Sequence, residues 1–225
     1  MSRPVVLDMD GVLVDSEPLN EAAFRAYISS LGRPELSGWF ANTLGRREVD
    51  FLPELAAELG RPAPEISAGL AAELEMLLAE AELVAMPFVS QAVSRLAAGD
   101  RIVGLASSSR RDFVDRVLDA LGLSGVFAAI ATGDEVVRGK PDPEIYELVA
   151  RRLEVPAPEC VAVEDTPAGL AAAAAAGMTT IAVPNALTAH LDLSRADAVA
   201  SDLREAVDLI LRLDGTPGGA PQGRP

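Results

Sequence analysis

Five short apolar runs punctuate the chain, at residues 4–8, 102–106, 127–131, 160–163 and 179–183. Each is continuous rather than alternating, the pattern of strands covered on both faces. Between them, apolar residues return every three or four positions, as on a helix. Over 110–121 the stripe is Phe113, Val114, Val117, Leu118 and Leu121, with Ser109 placed to cap the helix and Gly122 to stop it. Over 143–153 it is Ile145, Leu148, Val149 and Leu153, behind Asp142 as cap and Pro143 in the first turn. A third helix is predicted over 167–176, where Thr166 can cap, Pro167 starts the turn and Gly177 ends it. Its six alanines at 171–176 read as a helix packed closely on a sheet. Strand and helix in alternation predict an α/β fold, a doubly wound parallel sheet of Rossmann-like type.

Residues 16–86 interrupt the alternation. They predict helices near 18–31, 46–60 and 65–84, with a shorter one at 36–42, and no strand. The reading is a small all-α domain inserted after the first strand, with joints at Ser16-Glu17-Pro18 and Met86-Pro87. The domains are then a core of 1–15 and 87–213, an insert of 16–86 and a Gly/Pro-rich tail of 214–225, expected to be mobile. The 225 residues are enough for such a core with an insert.

Charge narrows the partners. Thirty-four acidic residues against 19 basic ones leave a formal charge of −15. Such a surface repels nucleic acid and anionic membranes, so a small molecule is the expected partner. The single cysteine, Cys160, suits a reducing compartment. An acidic residue as early as Asp8 leaves no room for a signal peptide, and no long uncharged apolar window is present. A cytoplasmic protein, monomeric or weakly dimeric, is expected. Eighteen of the basic residues are arginine and one is lysine, so any chemistry needing an amine falls to Lys140.

In an open α/β sheet, ligands bind beyond the carboxyl ends of the strands. Four polar sets fall at those ends: Asp8-Met9-Asp10-Gly11, Ser107-Ser108-Ser109, Arg138-Gly139-Lys140-Pro141 and Glu164-Asp165-Thr166-Pro167. Taken singly, each has a plain reading as a turn, a helix cap or a solvated loop charge. Together they place up to four carboxylates, a hydroxyl and the lone lysine at one edge. Residues two apart in extended chain share a face, so Asp8 and Asp10 face one space, which is costly without a cation or a shared proton. Oxygen-only ligands of this kind suit Mg²⁺ with a substrate phosphate. Exposed amides at Met9, Asp10 and the serine turn are placed to bind phosphate oxygens.

These residues resemble the haloacid dehalogenase superfamily. The segment Asp8-Met9-Asp10-Gly11-Val12-Leu13-Val14-Asp15-Ser16-Glu17-Pro18 is similar to its first motif. Ser107 matches the second, Lys140 in Gly-Lys-Pro-Asp the third and Glu164-Asp165 the fourth, over about residues 4–210. The insert resembles the small helical cap of the β-phosphoglucomutase-like and phosphoglycolate-phosphatase-like subgroup. The resemblance implies that Asp8 attacks phosphorus and that Asp10 acts as acid and then base. It implies Mg²⁺ held by the Asp8 carboxylate, the Asp10 carbonyl and Asp165, with Glu164 direct or through water, and Ser107 and Lys140 on the transferring phosphoryl group. The expected function is Mg²⁺-dependent hydrolysis of a sugar or organic-acid phosphate.

Other branches fit less well. Asp10 and the acid pair at 164–165 point away from dehalogenation, and an insert without lysine excludes Schiff-base phosphonate cleavage. A phosphosugar mutase is the main alternative. Its histidine after the first motif corresponds here to Asn20, which cannot exchange a proton. A non-catalytic phosphate-binding protein of the same fold is the second alternative. For substrate selection, Arg46 and Arg47 of the insert are expected to meet a second anionic group, or else to be capping or solvated. Gly11, Glu17, Asn20, Ser108, Ser109 and Arg110 complete the expected substrate-binding set. Trp39 and Phe40 read as packing, with a substrate wall as the other option, and Asn185 and Thr188 as a turn or a site rim.

Overall fold

The computed structural model describes residues 2–98 and 101–215. Its strands are β1 (Val5–Leu7), β2 (Val103–Ser107), β3 (Ala129–Thr132), β4 (Val161–Glu164), β5 (Thr179–Ala182) and β6 (Ala198–Val199). They form one sheet in the order β3-β2-β1-β4-β5-β6, with every neighbouring pair parallel. The chain builds outward from β1 to β3, then returns to add β4 on the other side of β1. That reversal opens a crevice between the carboxyl ends of β1 and β4.

Side chains alternate across the strands, so each strand feeds two cores. Val5, Leu7, Val103, Leu105, Val161 and Val163 face helices α4 (Val89–Ala97), α5 (Arg111–Ala120) and α8 (Leu203–Gly215). Val6, Ala106, Ala129, Ala131 and Ala162 face α6 (Glu144–Arg152) and α7 (Pro167–Ala175). The second face is built from small residues, and α6 lies close on it. A Cβ at Gly104 would stand 2.9 Å from Val149 Cγ2.

The expected strands and the three expected core helices are present, each within about two residues. Thr166 caps α7 through a bond from Gly169 N at 3.1 Å. The cap of α5 is Arg110 rather than Ser109, and it makes no side-chain capping bond. Helices α4 and α8 and strand β6 were not foreseen. The inward residues of α4 are Val89, Ala92, Val93 and Leu96, a proper helical stripe. Its first residue, however, follows Phe88 at φ 68°, with no capping side chain to announce a start. Helix α8 runs through Gly215, and Asp214 accepts from Arg3 N at 2.9 Å and pairs with Arg101. The tail assigned from 214 therefore begins in helix, and residues 216–225 lie outside the described residues.

The insert holds α1 (Glu17–Ser30), a 3₁₀ segment (Pro34–Asn42), α2 (Glu48–Leu59) and α3 (Ala63–Glu80). It has its own core of Phe24, Tyr27, Ile28, Phe40, Leu55 and Ile66, and Phe24 stacks on Trp39 at 6.3 Å. Helix α3 stops at Glu80, four residues short of the expected end. From there the chain runs back alongside its own departure: Asp15 N donates to Val84 O at 2.8 Å and Met86 N to Leu13 O at 2.9 Å. Val14 and Ala85 form an antiparallel bridge between them. Among the described residues, no helix is long and apolar enough to cross a membrane.

Candidate active site

Asp8 lies just beyond β1, Ser107 ends β2, Glu164 ends β4, and Lys140 comes from the loop after β3. Lys140 Nζ donates to Asp8 Oδ1 at 2.5 Å, to Glu164 Oε1 at 2.6 Å and to Ala106 O at 3.3 Å. All three side chains are buried, with exposures of 2% for Lys140, 8% for Asp8 and 0% for Glu164. Burial alone would strip the lysine of its proton, but the charges of Asp8 and Glu164 outweigh it and hold the ammonium above its usual range. The loop is pinned on both sides of the lysine. Glu144 accepts from Val137 N and Arg138 N at 2.9 Å each, while Glu135 accepts from Thr132 N at 3.0 Å and pairs with Arg152 at 2.8 Å.

Glu164 has no free lone pair to spare. Its Oε1 accepts from Lys140 and from Tyr146 Oη at 2.7 Å. Its Oε2 accepts from Asp165 N, Thr166 N and Thr166 Oγ1 at 3.1, 3.3 and 3.1 Å. Asp165 differs. Its Oδ2 accepts from Asn185 Nδ2 at 2.8 Å, whereas Oδ1 is buried with no partner. Carboxylate oxygens of Asp8, Glu164 and Asp165 lie within 4.8 Å of one another. Burial, then the neighbouring charge of Glu164, pushes the carboxyls of both Asp8 and Asp165 well above the usual range. An orphaned, desolvated oxygen beside two more acids is what a hard cation with oxygen preference would satisfy. The residues present therefore fit a divalent ion such as Mg²⁺.

Asp10 is held by three serines. Ser16 Oγ donates to its Oδ1 at 2.5 Å, while Ser109 Oγ and Ser107 Oγ reach Oδ2 at 2.9 and 3.4 Å. Ser107 Oγ also accepts from Ser109 N at 3.1 Å. The turn carrying Asp10 closes on Met9 O, which accepts from the amides of Val12, Leu13 and Val14. Gly11 sits at φ +77°, and a Cβ there would meet Asp165 Oδ2 at 2.2 Å. Only glycine allows this approach.

Above these groups, a cavity of about 1040 Å³ lies between the sheet edge and the insert. Glu17 and Asn20 line it from α1. Burial, then the charge of Asp10, pushes the Glu17 carboxyl up to about 8. Ser108 Oγ donates to Gly45 O of the insert at 3.2 Å. Arg110 stands exposed at the rim, 3.3 Å from Asp112. Phe40 lines the cavity and Trp39 packs against Phe24 and Phe51.

Arg46 and Arg47 do not stand ready for a second anion. Arg46 pairs with Glu54 at 2.6 and 3.2 Å and donates to Asn42 O and Asp50 O. Arg47 is buried, and every donor it has is engaged. It pairs with Asp50 at 2.6 and 2.7 Å and donates to the carbonyls of Gly133, Val136 and Val137 at 3.1, 2.7 and 3.0 Å. Of the two readings of this pair, the engaged one describes the structure: Arg47 ties the insert to the loop that leads to Lys140.

Tyr146 and Ser16 emerge as partners only in three dimensions, holding Glu164 and Asp10. A tyrosine on a buried helical stripe is itself a signal, because its hydroxyl must find a partner. Asn185 settles on Asp165 and, at 3.3 Å, on Gly11 O, while Thr188 Oγ1 accepts from Asn185 N at 3.0 Å.

Comparison with known proteins agrees with this geometry. The model of the haloacid dehalogenase-like hydrolases matches residues 3–177. The chain is 35% identical to a phosphorylated carbohydrates phosphatase of Thermotoga maritima, covering 92% of this chain and 97% of that one. It is 34% identical to hexitol phosphatase B of Escherichia coli K12, covering 80% and 82%. The crystal structure of CbbY from Rhodobacter sphaeroides in complex with phosphate superposes with a TM-score of 0.74 at 26% identity, covering 91% and 96%. On the strength of that match and of those relatives, the chain belongs to the haloacid dehalogenase-like hydrolases.

Proposed function

We propose that this hydrolase is a divalent-metal-dependent phosphatase acting on a small phosphorylated metabolite through an aspartyl-phosphate intermediate. The observation that carries the reading is Lys140 bridging Asp8 and Glu164 at 2.5 and 2.6 Å beside an unpartnered Asp165 oxygen. Fixed positive charge, a carboxylate nucleophile and a vacant oxygen donor are what phosphoryl transfer needs, since most of its catalysis is positioning and charge stabilisation. The carbohydrate-phosphate phosphatases among the relatives support a sugar or polyol ester as substrate.

In this reading a carboxylate oxygen of Asp8 attacks phosphorus while the bond to the leaving oxygen breaks. Asp10 gives its proton to that oxygen. Water then attacks the phosphoaspartate, Asp10 takes the water's proton, and inorganic phosphate leaves with Asp8 restored. For the phosphoryl oxygens, Lys140 exchanges its 3.3 Å bond to Ala106 O and Ser107 its 3.4 Å bond to Asp10. The carboxylates of Asp8 and Asp165 and the Asp10 carbonyl would hold Mg²⁺, with Glu164, whose two oxygens are already occupied by five donors, reaching it only through water; the ion would supply charge neutralisation at the phosphoryl oxygens. The helical insert acts as a cap that excludes bulk water when closed. Asn20, lining the cavity where a mutase would carry a histidine, has no titratable proton to exchange with Asp10, which favours hydrolysis over mutase chemistry.

Asp8→Asn should abolish phosphate release across a panel of phosphoesters with Mg²⁺ while keeping the circular dichroism spectrum of the folded wild type. Turnover retained in that variant refutes the nucleophile. Isomer interconversion of β-glucose 1-phosphate without net phosphate release would establish the mutase instead.

A further inference from the structure

Eight carboxyl groups and five cations line the cavity, and each of the five cations already has a carboxylate partner. Lys140 lies between Asp8 and Glu164, and Arg46 and Arg47 are paired with Glu54 and Asp50. Arg110 is paired with Asp112 at 3.3 Å and Arg116 with Glu75 at 3.1 Å. Inside the cavity, below the rim where Arg110 stands exposed, no described lining residue offers an uncompensated positive charge. The opposite sign is available. Glu48, at the start of α2, has a buried Oε1 with no hydrogen-bond partner. The remaining wall mixes apolar side chains, Phe24, Leu52, Leu70 and Leu74, with uncharged polar ones such as Asn20, Thr43 and Ser67.

A second anion in this space would face acids, hydrocarbon and neutral polar groups with no counter-charge, and a buried unpaired charge is strongly disfavoured. A hydroxyl or an ammonium group would instead satisfy Glu48. We propose that the cavity selects monophosphate esters whose leaving group carries no negative charge and presents hydrogen-bond donors, with Glu48 as the residue that reads them. Polyol, sugar and amino-sugar phosphates belong to this class; phosphorylated organic acids and bisphosphates do not. The volume of about 1040 Å³ leaves ample room for a six-carbon leaving group. The proposal rests on the phosphatase reading above and narrows its substrate.

The test compares sorbitol 6-phosphate, glucosamine 6-phosphate and 6-phosphogluconate, six-carbon esters that differ in the charge of the leaving group, together with fructose 1,6-bisphosphate. p-Nitrophenyl phosphate with Mg²⁺ reports the phosphatase reading separately. The neutral and ammonium esters should exceed the carboxylate ester and the bisphosphate in kcat/KM by about tenfold or more, the scale of an unfavourable like-charge contact. Glu48→Gln should raise KM for sorbitol 6-phosphate and narrow its preference over 6-phosphogluconate. Glu54→Gln, which releases Arg46, should narrow the same ratio by improving the anionic ester. A merely structural role for either residue would leave the ratio unchanged, and that result overturns the assignment. So does cleavage of p-nitrophenyl phosphate with equal or better activity on 6-phosphogluconate, or with none on any six-carbon ester; the phosphatase reading survives both. Failure to cleave p-nitrophenyl phosphate in metal-replete protein removes the phosphatase reading and this inference with it.

Discussion

Lys140 is the one lysine in a chain that otherwise uses arginine, and its surroundings explain the exception. A compact ammonium with three donors meets three acceptors: Asp8, Glu164 and Ala106 O. A planar guanidinium is too wide for that buried socket. Gly169 poses a similar demand. In an alanine-rich helix, replacing glycine by alanine ordinarily stabilises by about 1 kcal/mol. Here the added Cβ would lie 1.8 Å from Glu164 Oε1. Gly169→Ala should therefore lower the melting temperature and weaken activity together, as measured by thermal denaturation and phosphate release; a more stable, fully active variant would contradict the packing described. At this scale Asp8, Asp10, Ser107, Lys140, Glu164 and Asp165 were legible because each stands at a strand end or in the loop that follows one. The roles of Arg46 and Arg47 were not, since a guanidinium's partners depend on contacts up to 90 residues away, as with Arg47 and Val137 O.

Two elements hold the loop between β3 and Lys140, and each can be tested on its own. Arg47 reaches it from the insert, supported by Asp50, and both lie so close over Gly139 that a Cβ there would stand 2.3 Å from Arg47 Nε. Arg47→Ala leaves three carbonyls without their donor, each loss worth about 1 kcal/mol or more. Hydrogen exchange of residues 133–139 should accelerate in that variant while α6 keeps its protection. On the other side, Arg152 holds the Glu135 carboxyl down at about 2, helped by the Thr132 amide and hydroxyl. A carboxyl depressed on folding adds stability that is complete above its unfolded value of about 4.5 and is lost as pH falls toward 2. Glu135→Gln should therefore flatten the acid limb of the stability–pH curve, as followed by urea titrations between pH 5 and 2.5; an unchanged slope would show the pair to be inert. Helices with caps, such as α7, were legible along the chain. Helix α4 was not, because its stripe begins without a stop or start residue that separates it from the preceding loop.

The whole molecule gathers buried negative charge at one sheet edge while carrying −15 overall. A divalent cation bound only by the folded state should raise stability by about 2.7 kcal/mol at a hundredfold excess over its dissociation constant. For a chain of this size that is roughly 5–10 °C in Tm. Mg²⁺ titration followed by calorimetry should give such a rise, and Asp165→Asn should remove it. An equal rise in the variant would mean that the ion binds elsewhere. The α/β class was readable from alternation alone, because continuous apolar runs separated by helical stripes have few other solutions. The closed approach of insert to sheet was not, since it depends on contacts between segments that no local pattern relates.

The paired hydrogen bonds around Val14 and Ala85 bring the two ends of the inserted segment side by side. A module that leaves and rejoins its host at a single point can be lengthened, exchanged or deleted without altering the register of the sheet beneath it. The groups that touch phosphorus and those that judge the rest of the molecule thus reside on separately replaceable pieces. New preferences can arise by grafting one piece, with the chemistry kept only if the new piece also supplies the bonds that Arg47 makes to the loop before Lys140.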